Sequence, residues 1–314
     1  MREIAVVAFG GNALQKGNEG GSIEQQEQVV YETCENLLEL IKKDVGLIIT
    51  HGNGPQVGTI LLQNEAGYEL YKLPKKPIDV AVADSQGWIG YMIDRQLRNV
   101  LNDNGIKKDV VALVTQVLVD RNDPAFEKPT KPVGRFFVKE EADLLAKANG
   151  WQFVEDARKR GWRRVVPSPK PMEIENKDLV KSLAEQGYIV ITCGGGGIPV
   201  FRHENNYLEA IEAVIDKDLA SSLLAREIDA TNFYILTDVE KAYINFNKPE
   251  QKALDAITPE EAKSYLENGE FGAGSMGPKV QAALSFTEES GHEAIITSSD
   301  QLKFENCGTR IRVK

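Results

Sequence analysis

Cysteine, histidine and the P-loop signature are scarce or missing in this 314-residue chain, and each gap removes a class of explanation. The three cysteines, Cys34, Cys193 and Cys307, are odd in number, far apart and without a CxxC pair. Neither a disulfide framework nor a zinc site follows, and buried thiols in a reducing cytosol are expected. The three histidines, His51, His203 and His292, have no partners at metal-ligand or catalytic-triad spacing. His51 reads as a structural residue or a pocket wall rather than a base. No Gly-Lys dipeptide occurs, so there is no P-loop, and HExxH and the GxSxG elbow are absent as well. Positive charge is in deficit: 37 Lys and Arg against 47 Asp and Glu give a formal charge of −10. General binding to nucleic acid is not expected from such a surface. No apolar run approaches the roughly 18 residues of a membrane span. The N-terminal segment MREIAVVAFGG is too short in its apolar part, and too closely flanked by charge, for a signal peptide. A soluble, cytoplasmic protein is expected.

What the chain has in abundance is alternation. Short apolar runs such as IAVVAF (4–9), GLIIT (46–50), VVALVTQVLV (110–119), YIVITC (188–193) and NFYILT (232–237) read as strands. Amphipathic segments at 22–43, 55–71, 79–102, 177–186, 217–226, 259–268 and 278–288 read as helices, with Ser22 a candidate N-cap. Strands alternating with helices predict an α/β protein with a mainly parallel central sheet and helices on both faces. Residues 120–171 stand apart. They hold six of the 13 prolines, two of the three tryptophans, and 12 basic against 8 acidic residues. Such a segment reads either as a lid-like subdomain or as a solvated excursion, the run at 158–164 especially.

Three predicted strands end in glycine: Gly10-Gly11-Asn12 after the first, Gly52-Asn53-Gly54 after the second, and Gly194 to Gly197 after Cys193. Ligands of open α/β sheets bind beyond the carboxyl ends of strands. Glycine there lets backbone N–H groups approach an anion. A phosphate or carboxylate pocket is the chemical reading. Lys131 in PTKP, Lys217 in DKD and Lys279 in GSMGPK lie close to glycines, prolines or acids. Each suits a migrating phosphoryl group as a mobile point charge, although any single lysine is more often an ordinary surface residue.

Taken together, AFGGNAL (8–14), THGNGPQVG (50–58), DPAFEKPTKPVG (123–134), VITCGGGGIPV (190–200), VIDKDLAS (214–221), LTDVEKAY (236–243) and GSMGPK (274–279) resemble the carbamate kinases of the amino-acid kinase fold family. The resemblance runs through nearly the whole chain. It implies a three-layer αβα sandwich with two lobes. Residues 1–205 would hold the carbamate or carbamoyl phosphate, with a protruding lid at 120–171, and residues 206–314 would hold the nucleotide. It implies a homodimer, Mg²⁺ carried with ATP or ADP, and a place in fermentative arginine breakdown. Gly10, Gly11, Asn12, Gly52, Asn53 and Gly54 would bind the carbamoyl phosphate side. Lys131 would reach it from the lid, Lys217 and Lys279 would neutralise the transferring phosphoryl group, and Asp218 would hold the lysines. Asp238, Val239, Ala242, Tyr243, Gly274, Ser275 and Met276 would surround ADP. Arg135 stands where related sequences often have proline. Another small-acid kinase of the same fold, or a nucleotide sensor without catalysis, are the alternatives to this expectation.

Overall fold

A computed structural model describes residues 2–15, 21–156, 159–272 and 276–313. Its centre is the strand Ile4–Phe9, six apolar residues that are all buried. Because side chains alternate across a strand, Ile4, Val6 and Ala8 face one core while Ala5, Val7 and Phe9 face another. The first core includes apolar residues of helices Lys217–Glu227 and Met276–Ser290, the second those of Ile23–Asn36 and Ile78–Asp103. Two apolar faces on one strand require helices on both sides, which gives three layers.

The central sheet has eight strands. In spatial order they are Ala256–Ile257, Thr309–Ile311, Glu293–Ser298, Asn232–Thr237, Ile4–Phe9, Gly46–His51, Ile189–Ile191 and Val110–Ala112. The six from Glu293–Ser298 to Val110–Ala112 pair in parallel; Thr309–Ile311 runs antiparallel to its neighbour Glu293–Ser298. All six carboxyl ends therefore open on the same edge.

The α/β expectation holds, with two local differences. The helix expected over 22–43 is two, Ile23–Asn36 and Leu38–Lys42, broken at fully buried Leu37. Its start is as expected: Ser22 and Gln25 form a reciprocal capping box. The single strand expected over 110–119 is also two. Val110–Ala112 belongs to the central sheet and Gln116–Val119 to a separate four-stranded sheet with Pro171–Ile174, Ile198–Arg202 and Leu208–Ala210. The break has a cause. Gln86 accepts from Thr115 N–H at 2.8 Å and donates to Thr115 O at 3.1 Å, satisfying the backbone where the ladder is interrupted.

Residues 131–166 form their own antiparallel sheet, Gln152–Glu155, Trp162–Val166 and Lys131–Phe137, with the helix Lys139–Asn149. Arg160 is paired with Asp156, and the guanidinium of Arg160 lies 4.7 Å from the Phe136 ring centroid. Arg164 lies 4.0 Å over Trp151, and Arg163 donates to Gly134 O at 3.1 Å. Described arginines of the basic run are thus spent on aromatic and carbonyl groups of the insert itself. Arg135 stacks on Phe137 and pairs with Glu141.

Candidate active site

The site forms where the glycine turns leave the parallel strands. Gly10 and Gly11 follow Phe9, the Gly52 to Gly54 turn follows His51, and the Gly194 to Gly197 tract follows Ile189–Ile191 by two residues. These turns pack on one another. A Cβ on Gly195, whose φ is +65°, would lie 2.2 Å from Asn53 Nδ2. A Cβ on Gly52 would lie 3.0 Å from Lys217 Cδ, so the bare backbone there makes room for the lysine stem.

Helix Lys217–Glu227 starts at this edge. Its N-cap is Asp216, whose Oδ1 accepts from the N–H groups of Asp218 at 2.9 Å and Leu219 at 3.4 Å. Lys217 Nζ donates to Asp218 Oδ1 at 2.5 Å. Lys279, on helix Met276–Ser290, donates to Asp218 Oδ2 at 2.9 Å. The two helices are packed together, with Ser222 Oγ donating to Ala282 O at 2.8 Å, and this places the second lysine. Lys131, from the insert, donates to Asp216 Oδ2 at 2.7 Å. Three ammonium groups and two carboxylates converge on one point.

Burial and charge compete here. Burial pushes the Asp218 carboxyl up, but the ammoniums of Lys217 and Lys279 outweigh it and hold the group well below the usual carboxylate range. Burial pushes Lys217 down, and the nearby Lys279 charge adds to this; Asp218 only partly opposes them. For Lys279 burial also opposes the charge, but Asp218 prevails and raises it. Asp216 is half-buried, and although that pushes its carboxyl up, Lys131 prevails and lowers it. His51 is buried, its Nδ1 2.9 Å from Gly52 O, and burial brings its pKa down to about 4. It stands neutral inside the fold and lines neither cavity of the site, which is the structural alternative of the two readings.

Two cavities meet at this charged cluster. One, of about 230 Å³, is lined by Gly11, Gly52, Asn53, Gly54, Gln56, Lys131, Gly195 and Lys217 among others. The other, of about 260 Å³, is lined by Gly10, Gly11, Asn12, Thr237, Asp238, Pro278 and Lys279. Asp216 and Asp218 line both. Most of the expected site residues are thereby brought together. The first glycine turn sits differently from the expectation: Gly10 and Asn12 line the cavity of Asp238 and Lys279, and Gly11 alone reaches both.

The expected nucleotide set is assembled only in part. Ala242 lies fully buried in the core, its N–H bonded to Thr309 Oγ1 at 2.8 Å and its carbonyl to Leu254 N at 2.9 Å. Tyr243 belongs to a two-stranded ribbon and sits 6.0 Å from Phe246, centroid to centroid. Neither they nor Val239 and Met276 line the two cavities. Gly274 and Ser275 lie outside the described residues. Residues 272–277, GAGSMG, also fit the GxGxxG spacing. The run enters a helix but follows the helix Pro259–Glu267 rather than a strand, so the dinucleotide context is missing. Asp216 was likewise not assigned a role, although an Asp just before a helix is an N-cap signal.

A parallel sheet with glycine turns at its carboxyl edge, and lysines converging between two cavities, is an arrangement suited to phosphoryl transfer. The sequence profile of the amino acid kinase family matches residues 3–298, and the chain belongs to that family. Within it, a carbamate kinase of Thermococcus kodakarensis is 50% identical over 297 residues, 94% of each chain. A carbamate kinase-like protein of Escherichia coli is 48% identical over 303 residues, 96% of this chain and 95% of the other. The solved carbamate kinase from Giardia lamblia bound to AMP-PNP superposes with a TM-score of 0.91 at 44% identity, covering 99% of this chain and 98% of its own.

Proposed function

We propose that this protein is a carbamate kinase, transferring a phosphoryl group reversibly between carbamoyl phosphate and ADP to give carbamate and ATP. The observation that carries the reading is the meeting of two cavities at Lys217, Asp218 and Lys279. One cavity suits the carbamoyl side and the other the nucleotide. The names of the relatives and the nucleotide analogue in the Giardia lamblia structure support the same assignment.

The chemistry asks little of acid–base groups. Toward ATP, a terminal oxygen of ADP attacks phosphorus and the P–O bond to carbamate breaks. Carbamate leaves as an anion and needs no proton. In reverse, the carbamate oxygen already carries charge, so no general base is required. Every participant is negative, so repulsion is the main obstacle. Lys217 and Lys279 offset it at the transferring group, and Asp218 fixes both ammoniums before substrate arrives. The glycine-turn N–H groups supply further donors. Asp238 is the nucleotide-side carboxylate not paired with a lysine, whereas Asp216 and Asp218 are. Among the described residues no three His, Cys, Asp or Glu side chains cluster as a metal cage. That donor set fits Mg²⁺ held mainly by phosphate oxygens and water, with Asp238 in support, its charge reducing repulsion when bound.

The domain and assembly readings belong here as well. Residues 1–205 serve mainly the carbamoyl side and 206–314 mainly the nucleotide, with 120–171 as a lid; the Gly10 to Asn12 turn and the Asp216 to Asp218 segment cross that division. Exposed Leu62, Leu70, Tyr71 and Leu73, along and just beyond helix Gly54–Tyr71, support a homodimer. No helix of the described residues is long and apolar enough to cross a membrane.

The deciding assay is ATP formation from ADP, Mg²⁺ and carbamoyl phosphate, with acetyl phosphate as control donor. Rapid synthesis with strong preference for carbamoyl phosphate is expected. ADP binding without turnover of either donor overturns the reading. Lys131→Ala is expected to raise the KM for carbamoyl phosphate about tenfold, the loss of one charged hydrogen bond. A change confined to the KM for ADP would place Lys131 elsewhere.

A further inference from the structure

We propose that Gln56 recognises the amino group of the carbamoyl moiety and so separates carbamoyl phosphate from acyl phosphates; this rests on the functional reading above. Gln56 lies in the first turn of helix Gly54–Tyr71, lines the cavity of Lys131 and Lys217, and is 1% exposed. Its amide orientation is fixed by a relay. Gln26 Nε2 donates to the carbonyl of Gly21 at 3.1 Å, a group that can only accept. Gln26 must then turn its oxygen to Gln56, whose Nε2 donates to it at 2.9 Å. Gln56 Oε1 is left buried without a hydrogen-bond partner among the described residues.

An unpartnered buried carbonyl is unfavourable unless a ligand supplies a donor. The lysines and glycine N–H groups of this cavity are donors, and its carboxylates, Asp216 and Asp218, are already engaged by those lysines. The donors bind carboxylate and phosphate oxygens, which carbamoyl and acetyl phosphate share. The two molecules differ by NH₂ against CH₃, groups of similar size. Donors cannot tell them apart, but an acceptor can: the amino group donates to it, and a methyl leaves it unpaired in a desolvated site. Gln56 Oε1 supplies that acceptor, with its direction set by Gln26 rather than free to flip.

The experiment compares kcat/KM for ATP formation from carbamoyl phosphate and from acetyl phosphate, in the parent and in Gln56→Met. Methionine keeps length and apolar bulk and removes the acceptor. The ratio of the two constants is expected to fall about 10–100-fold. A ratio within about twofold of the parent's overturns the proposal even where both rates drop, since that is what a purely structural role produces. Should Gln56→Met not fold, Gln26→Leu tests the same point, because it frees the Gln56 amide to turn over. There the ratio is expected to fall at least about threefold, and an unchanged ratio overturns the proposal. Absence of ATP synthesis by the parent from carbamoyl phosphate overturns the functional reading and this role with it, and shows before any variant is made.

Discussion

Lys217→Ala lowers kcat for ATP formation by about 10²–10³-fold, and Lys279→Ala does the same, the loss expected for one preorganised donor at the point of charge development. The expectation follows from where the ammoniums stand. Both are largely buried and both are held by a single carboxylate, at 2.5 and 2.9 Å. Neither needs to reorganise when the phosphoryl group arrives. The KM values should move far less than kcat, because the interaction strengthens as the P–O bond loosens. The double variant should lose less than the product of the two single losses, since both lysines share Asp218. Steady-state kinetics with carbamoyl phosphate and ADP read all of this. A tenfold or smaller loss in kcat removes that lysine from the catalytic set.

Asp218→Asn costs stability as well as rate. The carboxylate is 3% exposed and carries two ammonium partners, so the amide leaves two buried positive charges without their counter-ion. Breaking a buried pair in this way costs about 3–5 kcal/mol. The pH dependence has a definite sign. The folded-state pKa of Asp218 is lowered, so its contribution is complete above the carboxyl's unfolded value and disappears as pH falls through the folded value. The gap in unfolding free energy between parent and variant is therefore widest near neutrality and narrows toward acid. Urea unfolding at several pH values measures it, and carboxylates common to both proteins cancel in the difference. A gap that stays constant with pH, or that is under about 1 kcal/mol throughout, shows that the ion cluster does not carry this energy.

Reading the sequence locally succeeds where the determinants are local. The run IAVVAF is a buried strand because nothing in it tolerates water, and Ser22 with Gln25 caps a helix from three residues away. The surroundings of Lys131, Lys217 and Lys279 drew attention to them, but the pairing of Lys217 and Lys279 with Asp218 was an expectation of the family resemblance and not of local spacing. What failed depends on distant partners. The run at 110–119 looks continuous, and only Gln86, 29 residues before Thr115, reveals the break. Ala242 was expected beside ADP, but Thr309 and Leu254 tie its backbone into the core. The pairing of Lys131 with Asp216 joins residues 85 apart, and no spacing rule connects them. Gln56 and Gln26 were equally silent: two glutamines in amphipathic segments carry no sign of facing one another.

The pairing of Ile4–Phe9 with Asn232–Thr237 has a mechanical consequence. Four successive register pairs, from Ala5 with Asn232 to Ala8 with Ile235, stitch the two halves of the chain into one plate. Opening them like jaws would tear hydrogen bonds through the middle of the molecule. The lid proposed above would instead govern entry at the rim, where a separate three-stranded sheet meets helix Gly54–Tyr71 with Gly58 and Gly134 back to back. A floor built as one plate would keep the lysines in register through every turnover.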